Sequence, residues 1–350
     1  MCKASGEPGG PKRCSADMRA RAQESHDRVE ALERRHREIE ELLDARRTYG
    51  SETAFRAALN TRIRELTRSA GGDGAEVARR FALQQFVSRL FDRDPQSWLV
   101  TGGTALQFRT PAEARATADL DLAVTRDVED LTAALTAASR RRAGEHGEFV
   151  VAVSPGSGPG AYTGKITYLL NGSRFAVAKL DVVAGRQFPF EPDTLVPDPV
   201  VAIDDVRPMS PVRTYAVAAH LGDKVAAMYE LHGSSGVSPS TRSHDLADIV
   251  ILSRCARVDA EELRAAVRGQ EQRRGVRVPT PLTLPSERWR RSYPSRVAEA
   301  GLPAELRDAD AALVEADRFV GAVLDGRVQA GVWDPDLRTW LPKPPSDLDD

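Results

Sequence analysis

Asp119 and Asp121 stand two residues apart in the run Asp119-Leu120-Asp121-Leu122-Ala123-Val124. Alternate side chains of a strand share a face, so both carboxylates point one way while Leu120, Leu122 and Val124 take the buried side. Carboxylates at that separation repel each other unless a cation lies between them. Hard divalent ions such as Mg2+ take such oxygens together with substrate phosphates. Upstream, Gly102-Gly103-Thr104 follows the apolar run Trp98-Leu99-Val100. A glycine turn there lets backbone N–H groups reach phosphate oxygens, and a helix starting near Thr104 aims its positive end at the same anion. Asp181 sits in a later β-branched run, Lys179-Leu180-Asp181-Val182-Val183, where an unpaired carboxylate is costly. With Asp119 and Asp121 it makes an acidic triad suited to two metals, one activating a hydroxyl and one holding a triphosphate. Arg109, Arg115 and Arg242 are each candidates to fork onto phosphate or to serve as surface charge. The Walker pattern GxxxxGK[ST] is absent, which argues against a P-loop.

The elements that must position these residues follow from periodicity. Arg and Glu dominate 16–47, which reads as a long solvated helix behind a frayed tail over 1–15. Phe55, Leu59, Ile63 and Leu66 recur at helical spacing and predict an amphipathic helix over 52–69. A second helix over 75–92 offers Phe81, Phe86, Leu90 and Phe91 to the core, and a strand follows at 98–101. Val128, Leu131 and Leu135 predict a helix over 127–143, ending in Arg140-Arg141-Arg142. A strand at 149–153, a Gly-, Pro- and Ser-rich loop at 154–164, and a hairpin of 165–170 and 175–183 around Asn171-Gly172 come next. After proline-rich punctuation at 189–211 the pattern turns helical: 215–231 with His220, Asp223 and Lys224, then 242–255, 259–270, 286–299 and 305–325. Asp245 and Asp248 lie at i and i+3 and so share one face, near enough to the helix start to complement its dipole.

The predicted architecture is α+β. A nucleotide-handling mixed-sheet core spans 52–205, preceded by the charged helix of 16–51 and followed by a helical domain over 206–345. The 350 residues carry 49 basic and 51 acidic side chains, so the net charge of −2 says little about partners. Cys2, Cys14 and Cys255 lack paired spacing, which excludes a disulfide framework and a zinc motif and suits a reducing cytoplasm. The six histidines show no ligand spacing. No apolar run approaches the roughly 18 residues of a membrane helix, and the N-terminus lacks a signal peptide's apolar centre.

The segments GGTALQFR, ATADLDLAV, KLDVV, GDKVAAM and RSHDLADI, in that order, resemble the AbiEii/AbiGii family of nucleotidyltransferase toxins. The resemblance covers roughly residues 52–300. It implies the small mixed sheet of the polymerase-β-type nucleotidyltransferases with a helical C-terminal domain. It places Gly102 and Gly103 on the family's glycine pair, Thr117 on the Ser/Thr before the acids, and Asp119 and Asp121 on the acid pair. Asp181 matches the later strand acid, Lys224 the lysine of the third motif, and Asp245 with Asp248 the acids of the fourth. Two departures stand out: a slightly longer loop around Thr110-Pro111, and His244 where the family has lysine, a fixed charge replaced by a titrating one.

The implied chemistry uses an NTP and Mg2+ or Mn2+ at Asp119, Asp121 and Asp181, with Gly102, Gly103, Thr104, Arg115, Thr117, Lys224, Arg242 and Asp248 around the nucleotide. Lys224 neutralises phosphate charge, and Asp245 serves as base or positioning group. The acceptor implied by some members of the family is the 3′ end of tRNA; the basic runs Arg140-Arg141-Arg142, Arg273-Arg274 and Arg288–Arg291 are candidates to hold the RNA backbone or are scattered solvated charge. A nearby cognate antitoxin is also implied, in some relatives a kinase-like one acting on the hydroxyl that Thr117 matches. The rival readings are a nucleotidyltransferase modifying a protein or small molecule, and a degenerate nucleotide-binding module that uses helix 16–47 for contacts. Transfer of label to RNA, to protein or to neither separates them.

Overall fold

The computed structural model describes residues 41–124, 131–185, 188–232, 236–298 and 300–343, with Arg34 and Glu38 ahead of them. The expected tail and most of the charged helix therefore lie outside the described residues, as does the start of the helix expected from 127.

Two helices open the core. The first, α1 (Glu52–Ala70), starts where the Ser51 hydroxyl accepts from the Ala54 N–H at 3.2 Å, and ends at Gly71. It buries Phe55, Leu59 and Ile63 while leaving Leu66 exposed. The second, α2 (Gly74–Arg93), is capped by Asp73 and buries Phe81, Phe86, Leu90 and Phe91. Arg89 is buried with them, donates to the carbonyls of Arg140 at 3.0 Å and Gly147 at 3.2 Å, and pairs with the buried Glu145 carboxylate at 3.4 Å.

The sheet has seven strands: β1 (Trp98–Thr101), β2 (Asp119–Val124), β3 (Glu148–Pro155), β4 (Ala161–Leu170), β5 (Ser173–Ala184), β6 (Asp193–Leu195) and β7 (Val212–Thr214). Their order is β3-β4-β5-β2-β1-β7-β6. Between β1 and β2 runs α3 (Gly102–Arg109), and α4 (Leu131–Ser139) follows β2. β4 and β5 pair antiparallel through Asn171-Gly172, both with positive φ. β2 runs antiparallel to β1 and parallel to β5, which sets Asp121 opposite Asp181. Leu120, Leu122, Val124, Leu180 and Val182 face α1 and α2. Leu99 and Ala123, on the other face, pack with Tyr215, Ala216 and Ala219. The acids share that second face, at the edge of its apolar patch.

The expected loop over 154–164 is shorter than its composition suggests, because β3 and β4 continue to Pro155 and from Ala161. The Pro-rich stretch 189–211 conceals β6, and β7 begins directly after it; Val100 of β1 pairs in parallel with Thr214 of β7. Short strands of three residues carry too little period to be read from sequence.

From β7 the chain enters the helices α5 (Val217–Met228), α6 (Ser243–Cys255), α7 (Ala260–Arg274), α8 (Arg288–Arg296) and α9 (Ala309–Ala316). The centre is α6, with Leu246, Ile249, Val250 and Leu252 fully buried. The single helix expected over 305–325 is broken into a 3-10 turn (Ala304–Arg307), α9, a π-helical turn (Asp317–Gly321) and α10 (Ala322–Leu324). Its break comes from Asp308, whose carboxylate accepts from the N–H groups of Asp310 and Ala311, both at 3.0 Å, and so starts a new helix. A hairpin of β8 (Val332–Asp334) and β9 (Thr339–Leu341) packs Trp333 on Phe319. Among the described residues no helix is long and apolar enough to cross a membrane.

Candidate active site

The acids of the sheet and the first turns of the helical half face each other across a cleft of about 680 Å³. Its floor is the turn from β1 into α3. Gly102 has φ +59°, and a Cβ there would lie 1.8 Å from Asp121 Oδ2. A Cβ on Gly103 would come within 2.8 Å of Thr117 Oγ1. Both positions therefore need glycine, the first for backbone conformation and closeness, the second for closeness alone. The helix starting at Gly102 presents its N-terminal N–H groups beside the acid pair.

Asp121 lies between competing charges. Burial pushes its carboxyl up to about 6; Lys224 and Arg242 oppose the shift, and the neighbouring Asp181 and Asp119 add to it. Asp119 Oδ1 is shielded from solvent without a hydrogen-bond partner, and Lys179 Nζ, at 3.9 Å, is too distant to bond it. A buried acceptor without a donor and a carboxyl raised by burial and, less, by like charges mark unmet demand for a cation. The donor oxygens suit a hard ion such as Mg2+, which is commonly held by one or two carboxylates plus substrate phosphates. Among the described residues no set of three or more His, Cys, Asp or Glu side chains is disposed to hold a metal by itself. Asp119 and Asp121 thus fit a cation that arrives with a phosphate, while Asp181 does not complete a protein-only cage.

Opposite the acids, Lys224 on α5 is 6% exposed and holds two carboxylates of α6, Asp245 Oδ1 at 3.0 Å and Asp248 Oδ2 at 2.7 Å. Both acids are fully buried. Arg115 donates through Nε and Nη2 to the two oxygens of Asp248 at 2.7 and 2.9 Å. Arg242 donates through Nε to Asp245 Oδ2 at 2.7 Å. Burial alone would raise both acids, yet Lys224 with Arg115 holds Asp248, and Lys224 with Arg242 holds Asp245, below the usual carboxylate range. The same pairs overcome the burial of Lys224 and raise its pKa. The i, i+3 pair at the start of α6 therefore anchors a buried ion cluster in addition to complementing the helix dipole.

Several expected residues take particular places. Thr104 is buried, and its hydroxyl donates to the Asp119 carbonyl at 2.9 Å, tying α3 to β2 without lining the cleft. Thr117 lines the cleft, and its N–H donates to Glu76 Oε1 at 3.3 Å. Asp181 also lines the cleft and is exposed. Arg109 turns away, donating to Asp193 at 2.7 Å and to Thr214 Oγ1 at 3.1 Å. His244 lines the cleft beside Asp245 and is pushed down to about 4, chiefly by burial, so it stands neutral where the family has a cation. Of the basic runs, Arg141 and Arg142 brace Asp44, Asp92 and Glu145, and Arg290 pairs with Asp310 and Glu287. Arg274 lines the cleft while holding Asp223 at 3.2 Å and Glu230 at 2.6 Å.

Sequence reasoning missed Arg79, Tyr215 and Arg296 as cleft residues, and named His220 and Asp223 without a role. His220 and Asp223 had a signal, since they sit one turn before and one residue before Lys224 on the same helix. Arg79 had none, because it reaches the cleft only through the packing of α2 on the sheet, where its Nε donates to the Val177 carbonyl at 3.2 Å.

The chain belongs to the family described as the nucleotidyltransferase AbiEii toxin of type IV toxin-antitoxin systems, which matches residues 82–319. It is an NTP-dependent nucleotidyltransferase of that toxin class, and the family implies a cognate antitoxin and a divalent metal. Among solved structures, the chain is similar to MenT4, a nucleotidyltransferase toxin from Mycobacterium tuberculosis H37Rv. The identity is 19% over 75% of this chain and 89% of that one, with a TM-score of 0.49. It is also similar, at 18% identity over 56% of this chain and 89% of the other, to an antigenic nucleotidyltransferase-like protein from Paracoccidioides brasiliensis, with a TM-score of 0.35. Both likenesses are distant, and the family assignment rests on the matched span. No curated protein matches the chain.

Proposed function

We propose that the chain transfers a nucleoside monophosphate from an NTP to the 3′ end of tRNA in the cytoplasm. The observation that carries this reading is the placement of Asp119 and Asp121 beside the glycine-started helix and across from Lys224 in one cleft. A Mg2+ or Mn2+ ion held by Asp119 and Asp121 would supply charge neutralisation for the triphosphate. The N–H groups of the Gly102-Gly103 turn receive phosphate oxygens, and the cations of the Lys224 cluster offset the charge that develops on the leaving group.

The acceptor hydroxyl oxygen attacks the α-phosphorus in line. A new P–O bond forms, the bond from the α-phosphorus to the bridging oxygen breaks, and pyrophosphate departs. The hydroxyl proton passes to Asp181, whose carboxylate is open to the cleft. Asp245 and Asp248 are positioning groups: fully buried and ion-paired, they fix Lys224, Arg115 and Arg242 and touch no substrate. Phosphate added to Thr117 would place negative charge between the glycine turn and the acids, and so exclude both triphosphate and cation. That makes the Thr117 hydroxyl the point at which an antitoxin with kinase activity would act.

The test is incubation of the purified protein with each labelled NTP, Mg2+ and total RNA. Label at the 3′ end of tRNA is expected. Label on protein alone would replace the acceptor, and label nowhere would refute transfer.

A further inference from the structure

Six basic side chains line the catalytic cleft: Arg79, Arg115, Lys224, Arg242, Arg274 and Arg296. Five of them are already engaged within the fold. Arg79 pairs with Glu76, Arg115 with Asp248, and Lys224 with both Asp245 and Asp248. Arg242 pairs with Asp245, and Arg274 with Asp223 and Glu230. The cleft histidines add no charge, since burial above all pushes His220 and His244 down to about 4. Arg296 differs. It is exposed, and among the described residues its guanidinium has neither a carboxylate partner nor a hydrogen bond.

The base of this side chain is firmly held. Arg296 is the last residue of α8, and Trp289, Tyr293 and Val297 beside it recur at four-residue intervals, all fully buried. Trp289 Nε1 donates to the Ser240 carbonyl at 2.6 Å, and the Tyr293 hydroxyl donates to the Leu306 carbonyl at 3.1 Å. The hydroxyls of Ser292 and Ser243, 2.9 Å apart, tie α8 to the first residue of α6, next to Arg242. A cation in the last turn of a helix also complements that helix's dipole. That role alone gives no reason for the side chain to line a cleft that contains Asp119 and Asp121.

We propose that Arg296 is the side chain that grips a substrate phosphate in this cleft, an inference that rests on the nucleotidyl-transfer reading. A guanidinium presents its N–H donors as a planar fork that matches two phosphate oxygens. The other cleft cations spend donors on carboxylates of the fold, whereas Arg296 brings its whole fork to the ligand. The phosphate belongs to the triphosphate of the NTP or to a phosphodiester near the RNA terminus, and both offer the same oxygens.

The test measures equilibrium binding in two arms, each NTP with Mg2+ in the absence of RNA, and a short single-stranded oligoribonucleotide in the absence of NTP. Arg296→Gln should weaken binding in at least one arm by about tenfold or more, the loss of charge-assisted hydrogen bonds to phosphate. Arg296→Lys, which keeps the charge without the fork, should lose less. Urea unfolding of both variants should match wild type, because no partner within the fold is removed. A loss in the nucleotide arm assigns the triphosphate, and inorganic tripolyphosphate should then compete with NTP for wild type more strongly than for Arg296→Gln. A loss in the RNA arm assigns the phosphodiester. Unchanged affinity in both arms overturns the proposal, as does a wild-type chain that binds neither ligand. A lowered urea midpoint with unchanged affinities overturns it in favour of the helix dipole. Label transfer by wild type keeps the two readings apart: Arg296-dependent binding without transfer refutes the chemistry alone, and transfer with unchanged affinity in Arg296→Gln refutes the phosphate contact alone.

Discussion

Lys224→Met separates a buried ionic keystone from a solvated phosphate ligand. A lysine whose only task is to touch substrate leaves stability unchanged when replaced by an apolar chain of similar length. Here Nζ is bonded at 3.0 and 2.7 Å to two carboxylates that are themselves fully buried. Removing one member of a buried ion pair costs about 3–5 kcal/mol, since the partner keeps its charge without its counter-ion. In this cluster Asp248 retains Arg115 and Asp245 retains Arg242, so the lower end, about 3 kcal/mol, is expected. The folded-state pKa values of both acids lie below the ordinary value, so the folded protein binds fewer protons than the unfolded chain as pH falls. The stabilisation is therefore complete above the unfolded carboxylate pKa of about 4 and is lost progressively below it. Urea unfolding of wild type and Lys224→Met at neutral pH, repeated toward acid, should show a gap of about 3 kcal/mol that narrows below about pH 4. A gap near zero at neutral pH would mean that the cluster does not hold the helices together, and that Lys224 is available to substrate alone.

Further outcomes follow from the sheet side of the cleft. Asp121→Asn should abolish transfer yet raise stability at pH 7 in chelator: the wild-type carboxyl, raised to about 6, loses stability as pH rises from its unfolded value to that point. Thermal unfolding should show the advantage of the variant disappear toward pH 4, within about a unit. Gly102→Ala should destabilise by about 1–2 kcal/mol from the positive φ alone and displace Asp121, measured by denaturant unfolding and by label transfer. Thr117→Glu should abolish transfer and growth inhibition with the fold retained by circular dichroism, whereas Thr117→Val should keep both.

How much of this could be read from residues alone depends on the range of the forces involved. The β2 strand was legible because its alternation is local: Leu120 and Leu122 are buried, and the two acids share the other face. The glycine turn was legible for the same reason. Asp181 could be suspected from its β-branched neighbours, but its placement opposite Asp121 is a product of sheet register. Arg115 stood equally for phosphate ligand and surface charge, and only the folded chain spends it on Asp248, more than a hundred positions away. Tyr215 and Arg79 carried no periodic or motif signal. They line the cleft because β7 pairs with β1 and because α2 packs on the sheet, contacts that no short window contains.

The passage from β7 into α5 bears on how substrate is captured. Only Tyr215 and Ala216 separate the strand from the helix, and the Tyr215 N–H is already bonded to Val100 on β1. Lys224 is thus carried on a helix that leaves the acids' own sheet without a flexible joint, and its far end is pinned through Asp245 and Asp248. Among the described residues this joint offers no hinge on which the Lys224 helix could swing toward the acids. Capture of substrate then depends on RNA arriving in an orientation the preformed cleft accepts, so kcat/KM should fall as solvent viscosity and ionic strength rise.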